Sequence, residues 1–293
     1  MVTGIRYRSA SRLVVTDDVV LLRRRNDRGV FGPERELVFF DKPILPERLA
    51  RIRTAQLWAP HDDRIERLPK ALGEMENLTS LTVSGGSTEP SLVGEIRAGD
   101  LPESLEELRL LDEHGGVLTW PEVVLPRLTT LFVSDVFRFD GSAFPRLRSA
   151  SLKPDRTQTN LREALRLPLE ELNVLNVSLD ERIFEIVSAR PLRQLGLLSG
   201  TKLASLDGIQ ALPALESLRL KNLRALADIS ALRELPELTR LDIQYCRRIH
   251  GIDVLAELTS LERLTLVGCG DPGLAGVREV IDRIPRTTIG ATS

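Results

Sequence analysis

Aromatic side chains make up only 4% of this 293-residue chain, so its core has to be assembled from Leu, Ile, Val and Ala. Cysteine is scarcer still, with Cys246 and Cys269 alone. A secreted scaffold of this size is often disulfide-rich, so the count favours a reducing compartment, and the expected location is the cytoplasm. Charge of one sign is not in excess: 40 Lys and Arg stand against 42 Asp and Glu. A general nucleic-acid binder usually carries a basic surplus, so that class is disfavoured and only a local basic patch remains open. Lysine is confined to Lys42, Lys70, Lys153, Lys202 and Lys221, which leaves arginine to carry nearly all positive charge. No stretch reaches the ~18 consecutive apolar residues that would span a bilayer. The N-terminal MVTGIRYRSASRLVV also lacks the apolar segment of a secretory signal.

Chemistry is equally sparse. No G-x-x-x-x-G-K-[ST], G-x-G-x-x-G, H-E-x-x-H or G-x-S-x-G occurs. Ser199-Gly-Thr-Lys202 fits S-x-x-K without the companion motifs that would make it a nucleophile, and it lies where the chain turns. His61, His114 and His250 are scattered, with no metal-ligand spacing between them. The expectation is a non-enzyme without cofactor or metal.

What the chain does have is a repeat. Leu169, Leu192, Leu215, Leu238 and Leu261 each open an LxxLxL segment, and the interval between them is 23 residues throughout. Looser copies begin at Ile52, Leu78, Leu105, Leu128 and Leu147, and Ile284 begins a terminal half-repeat. The last two apolar positions of LxxLxL are two apart and so share one face of a strand. A single such strand buries too little to be stable, but stacked copies bury a common core. Between the strands, Leu203, Leu206, Ile209 and Leu212 recur one repeat later as Leu226, Ile229, Leu232 and Leu235. Apolar residues at every third position predict 3₁₀ or short helical turns with one side buried. Ser178-Leu-Asp-Glu181 has capping-box form and predicts a true helix through Ile183, Ile186 and Val187.

This pattern resembles the leucine-rich-repeat family in its shorter bacterial, internalin-like form, over about residues 50 to 290. The resemblance implies an α/β leucine-rich-repeat solenoid: a curved horseshoe with a parallel β-sheet on the concave face and short helical or 3₁₀ returns on the convex face. The family usually places Asn or Cys three residues after the last strand leucine, to satisfy turn backbone groups. Here Cys246 and Cys269 hold that position, but Leu223, Gly200, Val177, Asp155 and Val136 hold it elsewhere, so the asparagine ladder is absent. The two cysteines, one repeat apart, then read as buried turn residues rather than as a disulfide or an incomplete zinc site.

Open solenoids need caps. Residues 12–25 read as two strands around Thr16-Asp17-Asp18, and Arg35 to Phe40 as another, giving a β-rich cap over residues 1–48. The solenoid takes 49–270. Residues 271–293 read as a capping helix, opened by Asp271-Pro272 and carried by Leu274, Val277, Ile281 and Ile284, followed by the half-repeat.

Alternate strand residues point out of the concave face in this architecture, so the binding candidates can be named. Arg219, Lys221, Arg240 and Arg263, with Asp242 among them, cluster over three neighbouring strands and suit an acidic protein surface or a phosphate. Any one of them alone is an ordinary solvated residue. Trp58, Leu111, Phe132, Leu175 and Leu198 are apolar residues directed outward, with Arg109 between the first and the third. Outward aromatics with basic neighbours are typical interface anchors; for Trp58, cover by the N-terminal cap is an equal reading. Asp112 and Asp135 fall at matching positions of adjacent repeats near Glu113 and His114. They are either a poor cation site or, better, solvated turn residues.

The function these readings favour is a non-catalytic module that binds another protein, with nucleic acid and membrane disfavoured. Three alternatives remain from sequence: a toxin-system or effector recognition protein, a metal-dependent enzyme around Asp112, or a nucleic-acid or phosphate binder.

Overall fold

A computed structural model of the chain describes residues 19–23, 36–58, 65–84, 92–111, 116–176, 180–270 and 273–290. Among these, fourteen strands form one open sheet. They are β1 (Val19–Leu22), β2 (Glu36–Phe39), β3 (Thr54–Trp58), β4 (Ser80–Ser84), β5 (Glu107–Leu111), β6 (Val117–Thr119) and β7 (Thr130–Arg138). They continue as β8 (Ser149–Lys153), β9 (Glu171–Leu175), β10 (Gln194–Gly200), β11 (Ser217–Leu223), β12 (Arg240–Gln244), β13 (Arg263–Val267) and β14 (Arg286–Gly290). Every pairing is parallel, and from β3 to β14 the rungs follow chain order, with β6 alone set aside against the end of β7.

The register is that of the repeat. Leu172, Leu195, Leu218, Leu241 and Leu264 stand opposite one another, as do Val174, Leu197, Leu220, Ile243 and Leu266, and all ten are buried. Fully burying one such side chain stabilises by about 1.5–3 kcal/mol, and only stacking makes that burial available. The return segments supply the other wall. Leu203, Leu206, Ile209 and Leu212 and their counterparts one and two repeats later are all buried. Each return contains one 3₁₀ turn, at Ile209–Ala211, Ser230–Glu234 and Ile252–Ala256, which carries Ile209, Leu232, and Ile252 with Leu255 respectively; the other apolar positions flank it.

Each 23-residue rung ends in the same backbone device. Asn176, Ser199, Asn222, Tyr245 and Gly268 are one repeat apart, and all have φ between 51° and 67°. This left-handed residue bends the chain at the end of the strand, and the residue after it is buried at Gly200, Leu223, Cys246 and Cys269. Cys246 and Cys269 follow it directly. The Cys246 thiol donates to the carbonyls of Leu220 (3.8 Å) and Gln244 (3.5 Å), and Cys269 donates to those of Ile243 (3.4 Å) and Val267 (3.5 Å). Asp155 does comparable work by another route. Its carboxylate, buried, accepts from the backbone N–H of Thr157 and Thr159, while Asn160 accepts from the N–H of Asp155 and donates to the carbonyl of Lys153.

Several local expectations are corrected. A helix does form at α4 (Ile183–Val187, the fourth of five short α-helices among the described residues, after Pro46–Leu49, Lys70–Gly73 and Thr159–Leu165), but not through a capping box. Glu181 turns away from its own helix and accepts from the backbone N–H groups of Ala204 (3.0 Å) and Ser205 (2.9 Å) on the next return, a better use of a charge than one already-solvated N-terminus. Ser178 lies outside the described residues. The C-terminal segment is not one helix. Gly273 at φ 84° leads into a 3₁₀ turn, Leu274–Val277, and then a single α-turn, Arg278–Ile281, before β14. Asp271 and Pro272 lie outside the described residues. Asp135 is no solvated turn residue: it is buried within β7, because that strand is nine residues long and continues past the point where its five-residue neighbours turn. Asp112, Glu113 and His114 lie outside the described residues.

At the N-terminal end, β1 is hydrogen-bonded on both edges, to β2 and to β3, each parallel. The first arm of the expected hairpin, before Val19, lies outside the described residues. The few aromatics are concentrated where β6 and the long β7 break the repeat. Trp120, Phe137, Phe139 and Phe144 pack with ring centroids 5.2–6.4 Å apart, and the Trp120 indole donates to the carbonyl of Val123.

Candidate partner-binding face

Strand register aligns the outward side chains into rows as strictly as the inward ones. One row reads Gln194, Ser217, Arg240, Arg263, Arg286; the next reads Gly196, Arg219, Asp242, Thr265, Thr288; the third reads Leu198, Lys221, Gln244, Val267, Gly290. Across β9 to β14 these rows line one groove of about 740 Å³. It brings together Leu198, Arg219, Lys221, Arg240, Asp242 and Arg263. Gly196 lowers the floor: a Cβ there would meet the Asn173 amide oxygen at 2.1 Å, so the Asn173 side chain lies across the glycine. Glu171 holds Asn173 in that pose by accepting from its amide (2.9 Å).

The charges are not equivalent. Arg219 sits 3.3 Å from the carboxylate of Asp242, which also accepts two contacts from the Gln244 amide. Lys221, Arg240 and Arg263 have no carboxylate within ion-pair distance among the described residues. A smaller depression of about 230 Å³ runs beside Arg240, Arg263 and Arg286.

Two residues of this face escape the sequence reading, Arg286 in the smaller depression and Tyr245 in the groove. Arg286 lies one repeat beyond Arg263, on the terminal half-repeat, and adding the interval once more would have found it. Tyr245 stands just past β12, 41% exposed, in the left-handed position of its rung. An alternation rule cannot see it, because that residue has left the strand.

Trp58, Arg109 and Phe132 lie on the same face but outside this groove, on β3, β5 and β7. Arg109 is paired to Glu107 (2.6 Å), whose other oxygen accepts from Ser80. Phe132 stands opposite Arg109, half-buried. Trp58 is half-buried with its indole nitrogen enclosed, at an end where Val20 and Leu22 are fully buried although Val20 is in register with the outward Gln56.

No group of three or more His, Cys, Asp or Glu placed to hold a metal occurs among the described residues. Burial pushes the Cys246 thiol up to about 11 and raises that of Cys269 as well. Burial thus disfavours the reactive thiolate form of both. No described helix is long and apolar enough to cross a membrane.

Repeat, register and returns together define a leucine-rich-repeat solenoid. No protein-family model and no characterised protein sequence matches the chain. Among solved structures it is similar to an internalin from Listeria monocytogenes, with TM-score 0.46 at 15% identity over 82% of this chain and 67% of that one. Internalin C2 of the same species gives TM-score 0.37 at 17% identity, over 76% of this chain and 86% of that one. A leucine-rich-repeat protein from Leptospira interrogans gives TM-score 0.40 at 15% identity, over 74% of this chain and 61% of that one.

Proposed function

We propose that the chain is a non-catalytic protein-interaction module that binds another protein on the outward, concave face of its sheet. The observation that carries this reading is the groove over β9–β14, where the exposed Tyr245 and the apolar Leu198 and Val267 stand among Lys221, Arg240 and Arg263. Tyrosine and arginine are the residues protein interfaces favour, and a rigid sheet presents them without an ordering cost. Arg219 and Asp242 belong to the same surface as a pre-formed pair. Phe132 and Arg109 form a second, smaller contact region, with Trp58 at its margin. In this reading residues 49–270 are the binding solenoid and the segments on either side are its ends. Two free, buried thiols fit a reducing, cytoplasmic setting.

The test is capture from a lysate of the native organism by the wild type beside an Arg219→Glu, Arg240→Glu, Arg263→Glu variant whose circular dichroism is unchanged. A partner lost by the variant supports the reading. A partner held equally by both moves the interface off this groove and overturns the assignment.

A further inference from the structure

We infer that the C-terminal end of this face is a seat for an acidic, extended polypeptide segment, gripped by Arg240, Arg263 and Arg286. The inference rests on the protein-binding reading above and narrows it to a ligand chemistry.

Two neighbouring rows of the same repeat treat charge differently. One residue before the arginine row, the chain sets opposite charges on adjacent rungs, and they pair: Arg148 with Glu170, and Arg193 with Glu216. In the arginine row it sets three like charges directly in register on β12, β13 and β14. Like charges placed opposite one another across strands are destabilising. None of the three has a carboxylate within ion-pair distance among the described residues. Glu262 lines the same depression without closing a bridge to any of them. The chain thus relieves charge in one row and leaves it standing in the next. An external anion removes that repulsion.

Spacing favours a peptide. Rungs ~4.8 Å apart put the outer two arginines ~10 Å apart, and alternate side chains of an extended peptide are ~7 Å apart. Two acidic side chains in an i, i+2 relation therefore fit within the span of the three guanidinium forks, each fork able to hold a carboxylate with two N–H groups. Lys221 extends the cationic surface by one rung. Tyr245 and Val267 offer an apolar contact beside it. A nucleic acid fits poorly, because phosphates along a strand continue beyond the three arginines to where Glu171 and Asp242 line the same groove. A short acidic peptide can keep its carboxylates at the arginine end.

The experiment is fluorescence anisotropy with fluorescein-labelled hexaglutamate, using the full chain. Three proteins are compared: wild type, an Arg240→Gln, Arg263→Gln, Arg286→Gln variant, and a control, Arg127→Gln with Arg162→Gln, altered at exposed residues off the groove. Thermal melts establish that all three are folded. The wild type and control are expected to bind equally, more weakly as salt is raised, and the triple variant at least about tenfold more weakly. Equal binding by the triple variant, or none by the wild type, overturns the inference. So does a single-stranded hexanucleotide that outcompetes hexaglutamate at the same arginines. If hexaglutamate fails while the captured protein is still lost on mutation of the groove, only the acidic chemistry falls. If the captured protein is indifferent to the groove, the broader reading falls with it.

Discussion

Removing the middle arginine of the ladder should stabilise the fold. Arg263 has a like charge on each side, on rungs ~4.8 Å away. With the guanidiniums splayed to about 6 Å, each pair repels by about 0.7 kcal/mol in water. A Debye length of about 8 Å at physiological ionic strength cuts this roughly in half. Two neighbours then give about 0.6 kcal/mol, rising to about 1 kcal/mol at very low salt and falling to about 0.2 kcal/mol at 1 M. Arg263→Gln should therefore raise the urea midpoint by an amount that salt erases. Arg193→Gln, in the neighbouring row, should act oppositely. It breaks the pair with Glu216, whose partners are 57% and 40% exposed, and should destabilise by no more than about 0.5 kcal/mol. Urea unfolding followed by circular dichroism, at low salt and at 1 M NaCl, measures both. A destabilising Arg263→Gln, or a stabilisation as large at 1 M as at low salt, would refute the electrostatic account and mean that the side chain is retained for its packing.

The other expectations follow from the same structure. Leu218→Ala, in a fully buried position between Leu195 and Leu241, should lower stability by about 2–5 kcal/mol in equilibrium unfolding; a loss below about 1 kcal/mol would mean that the rung is loosely packed. With Cys246 pushed up to about 11 by burial and Cys269 raised for the same reason, neither thiol should react with Ellman's reagent in the native protein at neutral pH, and both should react in denaturant. Among the described residues four carboxylates, Asp140, Asp180, Glu181 and Asp228, lie below their ordinary values. For Glu181 burial acts upward but is outweighed by backbone N–H donors, including those of Ser205 and Ala204; for Asp228 the donors are the backbone and side chain of Ser230. A lowered carboxyl contributes stability that is present above its unfolded value and lost as pH falls through the folded one, so the melting temperature should decline below about pH 4; Glu181→Gln should flatten that decline. Tyr245→Asn relieves a strained backbone and removes a half-exposed ring, two effects that cancel to within about 1 kcal/mol, while partner capture weakens; a loss above about 2 kcal/mol would show Tyr245 to be a packing residue.

How much of this was legible depended on how local the determinant was. A five-fold interval of 23 residues dictates register, so Leu218 and Arg219 could be assigned to opposite faces without coordinates. The 3₁₀ returns were legible for the same reason, since three-residue apolar spacing has one compact solution. Non-local arrangements left no such trace. The strand at Val19–Leu22 lies between Glu36–Phe39 and Thr54–Trp58, an order that chain sequence does not contain. Asp135 reads as a turn residue until β7 is seen to continue past it, held there by β6 and by the aromatic group around Trp120. Glu181 reads as a helix cap because a sequence pattern shows the N-terminus behind it but not the empty N–H groups of the next return. At the face itself, the rows could be written down, but not the pairing within them. Arg219 and Arg240 look alike in sequence, and only one has Asp242 beside it.

The left-handed residue that closes each rung puts Tyr245 in context. Asparagine and glycine adopt that conformation readily, and three of the five positions use them; for a residue with a bulky side chain it costs on the order of 1–2 kcal/mol. The repeat therefore shows what backbone preference alone would choose, and at residue 245 the chain departs from it. The departure occurs on the rung that also carries Arg240, the first arginine of the unrelieved ladder. Two patterns set by neighbouring rungs, small or amide residues at the left-handed turn and the opposite-charge pairs Arg148–Glu170 and Arg193–Glu216, are broken side by side. Neither break helps the fold, and both add what an interface uses: an exposed aromatic ring and unpaired guanidinium groups. Natural sequences give up local consistency where function requires it, and their coincidence on one edge of one groove is the strongest reason to place the partner there.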